Sequence, residues 1–157
     1  MCYFKNIFRS PMETIDAICH SLGDPKIDRV NFLVGTGMSG SLILVPTSVQ
    51  SGIPCGVVRK QYDKWNCPDD GGSHSCRDLE TVFEGEIPVL RYVILDDVME
   101  TGRTVDRIID VMRKEHPGSK CVGIILYQTI YSGQHGDGIP IIPVYNDISE
   151  LKKMELV

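Results

Sequence analysis

A chain of 157 residues, 42% of them hydrophobic, can bury one sizeable core and is read as a single domain spanning residues 1–157. A net charge of −5 and a sequence pI of about 5.3 argue against general nucleic-acid binding, and no apolar run is long enough to span a bilayer. The polar, broken start Met1-Cys2-Tyr3-Phe4-Lys5-Asn6 does not read as a signal peptide. Cys2, Cys19, Cys55, Cys67, Cys76 and Cys121 are scattered, several within apolar runs, as reduced core thiols of a cytoplasmic protein are.

In chain order, Ser10-Pro11-Met12-Glu13 predicts a helix start, with a serine N-cap, proline at the first position and glutamate completing a capping box. Ile15, Ile18, Cys19 and Leu22 give it one apolar face, and Gly23 stops it. Val30–Val34 reads as a strand that runs into the turn Gly35-Thr36-Gly37-Met38-Ser39-Gly40-Ser41. Leu42, Val45 and Val49 then predict a helix bent at Pro46, because proline removes a backbone donor. The turn offers unpaired N–H groups and hydroxyls to an anion, although glycine there also serves a tight strand-to-helix connection. Cys55–Val58 is a short strand ending in Arg59-Lys60.

Residues 61–87 lack periodicity and include the polar run Asp69-Asp70-Gly71-Gly72-Ser73-His74-Ser75, as a flexible loop or flap would. Cys67, His74 and Cys76 raise the question of zinc, with Cys55 as a distant fourth ligand, but their spacing matches no familiar zinc pattern.

Tyr92–Leu95 is an uninterrupted apolar strand, of the kind buried on both faces of a parallel sheet. It gives way to Asp96-Asp97, then Val98-Met99-Glu100, then the turn Thr101-Gly102-Arg103-Thr104. Val105, Ile108, Ile109 and Met112 mark a helix that ends at His116-Pro117-Gly118. The N–H groups of the turn, with Gly102 allowing close approach and two threonine hydroxyls, suit a phosphate. The paired carboxylates suit hydroxyls or a hydrated divalent cation instead. A phosphorylated ribose satisfies both halves. Cys121–Tyr127 is a further buried strand, Thr129–Gly138 a polar loop, and Ile139–Tyr145 a last strand expected at an edge because of its prolines.

Residues 92–104 resemble the phosphoribosyl-pyrophosphate signature of the type I phosphoribosyltransferases: apolar strand, two acids, variable residues, then Thr-Gly-x-Thr. The wider resemblance runs from about Val30 to about His116. It implies an α/β, three-layer domain with a mainly parallel twisted sheet, a short hood and a flexible loop at about 61–87. By the resemblance, Asp96 and Asp97 hold the ribose hydroxyls and contact a Mg²⁺ only through those hydroxyls or water, with no direct ligand. Thr101, Gly102, Arg103 and Thr104 hold the 5-phosphate. Thr36, Gly37, Met38, Ser39, Gly40 and Ser41, with Arg59 and Lys60, receive pyrophosphate. The Arg-Lys pair resembles the orotate and adenine branches, although Lys64 falls one residue later than the lysine of that pattern. Glu100 occupies the place of an acid that the hypoxanthine-guanine branch uses for proton transfer, so the accepting base stays open.

The implied activity is transfer of phosphoribose from phosphoribosyl pyrophosphate to a nitrogen base, by a cytoplasmic homodimer. Two alternatives remain. A regulator could bind phosphoribosyl pyrophosphate or a nucleotide without transfer. Gly35-x-Gly37-x-x-Gly40 after a strand also fits an NADP-binding fold, which leaves Asp96-Asp97 unexplained.

Overall fold

The computed structural model describes residues 11–58, 89–129 and 131–144. The elements run α1 (Pro11–Ser21), β1 (Phe32–Thr36), α2 (Gly37–Ser51), β2 (Cys55–Val58), β3 (Arg91–Asp96), α3 (Arg103–Glu115), β4 (Lys120–Leu126), β5 (Gly133–His135) and β6 (Ile139–Pro143). The strands form one six-stranded sheet in the order β2-β1-β3-β4-β6-β5, parallel except for the β5–β6 pair.

Alternation along β3 sorts the core into two layers. Tyr92 and Ile94 face one side, where α3 contributes Val105, Ile108, Ile109 and Met112. Val93 and Leu95 face the other, with Ile15 and Ile18 of α1 and Ile43 and Leu44 of α2. Successive residues of a strand point to opposite faces, so a strand covered on both sides must be apolar throughout. Each fully buried side chain of this size contributes about 1.5–3 kcal/mol of hydrophobic stabilisation. The chain moves from β1 through α2 to β2 in one direction, and from β3 through α3 to β4 in the other. Because direction and face reverse together, both crossovers have the same hand.

Three expectations need correction. Helix α2 begins at Gly37, inside the stretch read as a turn. Its buried face is Gly40, Ile43, Leu44 and Thr47, while Val45 and Val49 are 55% and 80% exposed. The reason is Gly40, which faces Gly35 and so brings that side of the helix against the sheet. The helix continues through Pro46. Second, the polar loop 129–138 contains a strand, β5, whose Gly-Gln-His sequence carries no apolar alternation. Third, β6 is therefore interior and β5 is the edge. Its prolines are tolerated by position: Pro140 precedes the β4 ladder, which begins at Ile141, and Pro143 is its last rung. The serine N-cap expected at Ser10, the 61–87 loop and the zinc candidates Cys67, His74 and Cys76 lie outside the described residues.

Candidate functional site

Strands β1 and β3 are neighbours whose onward connections leave in opposite directions, which opens a crevice at their carboxyl ends. Helix α2 starts there on one face of the sheet and α3 on the other.

Both helices begin without a side-chain cap. At α2 the N-cap residue is Thr36, whose hydroxyl would ordinarily bond the first turn. It instead donates to the carbonyl of Val58 at 2.6 Å, tying the end of β1 to the end of β2. No acidic residue lies in the first turn of α2, which favours an anion further. Ser41 donates its hydroxyl back to the Gly37 carbonyl at 2.6 Å. At α3 the N-cap is Gly102, with φ 75° and no side chain to offer. Both helices thus begin without a side-chain cap at the carboxyl ends of β1 and β3, as anion-binding helix termini do.

The glycines explain how these ends meet. A Cβ on Gly40 would lie 3.3 Å from the Gly35 backbone and 3.3 Å from the carbonyl oxygen of Leu95, the residue before Asp96. A bare backbone at Gly40 lets the start of α2 rest close against the ends of β1 and β3 together.

Asp96 and Asp97 stand between the two helix starts, only 7% and 8% exposed. Asp96 Oδ1 accepts the N–H of Asp97 at 3.0 Å, and Asp97 Oδ1 accepts the N–H of Val98 at 2.9 Å. Their own carbonyls accept the N–H groups of Tyr127 and Gln128, at 3.2 and 2.9 Å. The acids are therefore fixed by the sheet that continues beside them. Glu100, Thr101 and Arg103 are exposed, Gly102 is buried and Thr104 is half-buried. Thr36 to Ser41 and Asp96 to Thr104 thus follow the carboxyl ends of two adjacent parallel strands, β1 and β3. Arg59 and Lys60 lie outside the described residues.

No family model and no curated relative matches the chain. Solved structures do. The orotate phosphoribosyltransferase of Aeropyrum pernix is similar with a TM-score of 0.61 at 21% identity, covering 94% of this chain and 77% of that one. The adenine phosphoribosyltransferase of Saccharomyces cerevisiae, solved with an iminoaltritol bisphosphate and adenine, is similar with a TM-score of 0.55 at 17% identity, over 96% and 78% of the two chains. The fold is that of the type I phosphoribosyltransferases. A hypothetical protein from Neisseria gonorrhoeae with bound ppGpp is also similar, with a TM-score of 0.51 at 12% identity over 91% and 88% of the chains.

On this phosphoribosyltransferase fold the structure adds a residue the sequence did not single out. His135 of β5 lies against Gly102, and its Nε2 is 2.8 Å from Asp106 Oδ1 in the first turn of α3. Among the described residues no group of three or more His, Cys, Asp or Glu is placed to hold a metal ion. Cys19, Cys55 and Cys121 are free thiols. Among the same residues, no helix is long and apolar enough to cross a membrane.

Proposed function

We propose that this protein transfers phosphoribose from phosphoribosyl pyrophosphate to a nitrogen base and releases pyrophosphate. The observation that carries the reading is the pair of uncapped helix starts on opposite faces of the sheet, with Asp96 and Asp97 between them. Such a crevice matches a ligand with phosphate at both ends and a diol in the middle.

In this reading the N–H groups at Thr101 to Thr104 hold the 5-phosphate, and the carboxylates of Asp96 and Asp97 accept from the ribose hydroxyls. The start of α2, Thr36 to Ser41, receives pyrophosphate, joined by the positive charges of Arg59 and Lys60 for the leaving group. The Thr36 hydroxyl gives its hydrogen to Val58, so its backbone rather than its side chain serves the anion. As the bond from C1 of the ribose to pyrophosphate breaks, a ring nitrogen of the base bonds to C1. In this reading Glu100, an exposed acid between Asp97 and the Thr101 turn, takes the proton that nitrogen loses.

Mg²⁺ belongs to this reading, and the chain's donors fit it. Asp96 and Asp97 are hard oxygen donors, and a magnesium ion keeps several waters and is held in part by substrate phosphates. When bound, it would offset the charge of the departing pyrophosphate. We also propose a cytoplasmic homodimer; the exposed stripe Leu42, Val45 and Val49 of α2 is a candidate surface for the second copy.

The test is pyrophosphate release from phosphoribosyl pyrophosphate and Mg²⁺, with each common purine, pyrimidine and pyridine base in turn. Release that depends on one base establishes the transfer and names the acceptor. A second reading, a regulator that binds phosphoribosyl pyrophosphate or a nucleotide without transfer, is favoured by the Neisseria structure, where a similar fold holds ppGpp. Binding of phosphoribosyl pyrophosphate without release for any base would select it.

A further inference from the structure

Asp106 presents a difficulty for a phosphate at the start of α3. It places a carboxylate in the first turn, where a negative charge favours the helix but repels a bound anion. Histidine Nε2 of β5 lies 2.8 Å from that carboxylate, and a carboxylate can only accept, so His135 donates Nε2–H to Asp106. The same ring packs on the turn itself. A Cβ on Gly102 would lie 2.6 Å from His135 Cε1 and 3.1 Å from Nδ1. The His135 side chain is only 15% exposed, while that of Asp106 is 62% exposed. A second tie joins the same hairpin to the same helix, from Arg113 to Asp137 at 3.5 Å.

We infer that His135 is a positioning residue of the 5-phosphate turn: it engages the Asp106 carboxylate and seats the backbone at Gly102, so that the turn accepts a phosphate despite the acid beside it. This inference rests on the reading of Thr101 to Thr104 as a phosphate cradle. It makes the β5–β6 hairpin part of the sugar-phosphate site through the hydrogen bond it supplies, not through direct contact with the ligand. Loss of the ring would leave Asp106 free to swing toward the phosphate and the turn free to open.

The test uses calorimetric binding of ribose 5-phosphate and, separately, of Mg²⁺–pyrophosphate to the full chain. Four proteins are compared: wild type, H135A, D106N and the double variant. H135A is expected to weaken ribose 5-phosphate about five- to tenfold, the loss of one charge-assisted hydrogen bond with its repulsion exposed, and to leave pyrophosphate within about twofold. The double variant should recover most of that loss, because the repelling charge is gone with its partner. A residue serving only to stabilise the fold would not be rescued by removing Asp106. Unchanged ribose 5-phosphate affinity in H135A, equal loss of both ligands, or no recovery in the double variant would each overturn the inference. Should H135A fail to fold, H135N, whose amide is too short to reach Asp106, takes its place with the same expected pattern. A wild-type protein that binds neither ribose 5-phosphate nor phosphoribosyl pyrophosphate would refute the functional reading, and the inference with it. Wild-type binding with no effect of H135A refutes the inference alone.

Discussion

Replacing Gly102 by alanine tests the contact that joins the hairpin to the phosphate turn. Gly102 has φ 75° and ψ −7°, a left-handed conformation that costs an L-residue about 1–2 kcal/mol. The added Cβ would also sit 2.6 Å from His135 Cε1, well inside van der Waals contact. Moving that ring aside strains its hydrogen bond from Nε2 to Asp106, which is 2.8 Å long. Forcing it aside costs about 1–3 kcal/mol on the scale of other overpacked sites. The sum is about 2–5 kcal/mol, and each kcal/mol lowers the melting temperature of a domain of this size by roughly 2–4 °C. Only the second part depends on His135. Urea denaturation of wild type, G102A, H135A and the double variant should therefore give a coupling of about 1–3 kcal/mol, with G102A less harmful once the ring is gone. Effects that simply add, to within about 0.5 kcal/mol, would show that ring and turn do not touch, and the reasoning would fail.

Further outcomes follow from the same geometry. D97N keeps an oxygen for the Val98 N–H, so its stability should change little, while D96N and D97N should each lower affinity for phosphoribosyl pyrophosphate at least about tenfold in calorimetry. Unchanged affinity would remove the two acids from the ribose site. G40A must push backbone against backbone at Gly35 and Leu95, so it should cost about 1–3 kcal/mol in denaturation and weaken pyrophosphate binding more than ribose 5-phosphate binding. Burial pushes the Cys121 thiol up to about 12 from 9.0, so at pH 8 alkylation of this residue should wait for unfolding. Because the unfolded thiol gives up its proton near 9 and the folded one near 12, stability should decline as pH rises across that window. Tyr92, raised from 10.0 first by burial and then by the Cys121 charge, adds a decline of the same sign at higher pH, and C121A should remove the cysteine part and lessen the tyrosine part.

The parts legible in the sequence were those where side chains carry the signal. Strand β3 is apolar because it is covered on both faces, and α3 shows its period because one side meets the sheet and the other meets water. The convergence of Asp96-Asp97 with the Thr101 turn followed from their short separation. Helix α2 was harder to read. Leu42-Ile43-Leu44-Val45 allows two apolar stripes, and the one that packs is selected by Gly40, a residue with no side chain for a periodicity to register. Strand β5 and the His135–Asp106 contact were invisible for a different cause. Three polar or glycine residues pair with β6 because the adjacent backbone offers an open edge, and no local pattern announces a partner distant in sequence.

The opposite placement of α2 and α3 has a thermodynamic consequence. Their two apolar layers are separated by the sheet, and the described core clusters divide along it. A ligand held at one end by the start of α2 and at the other by the start of α3 would fasten the layers across the sheet's rim. Its binding energy would then stabilise both against local opening, by RT ln(1 + [L]/Kd) for each opening that destroys the site. Hydrogen exchange with saturating phosphoribosyl pyrophosphate should slow in the first turns of both helices by the same factor, whereas pyrophosphate alone should protect chiefly α2.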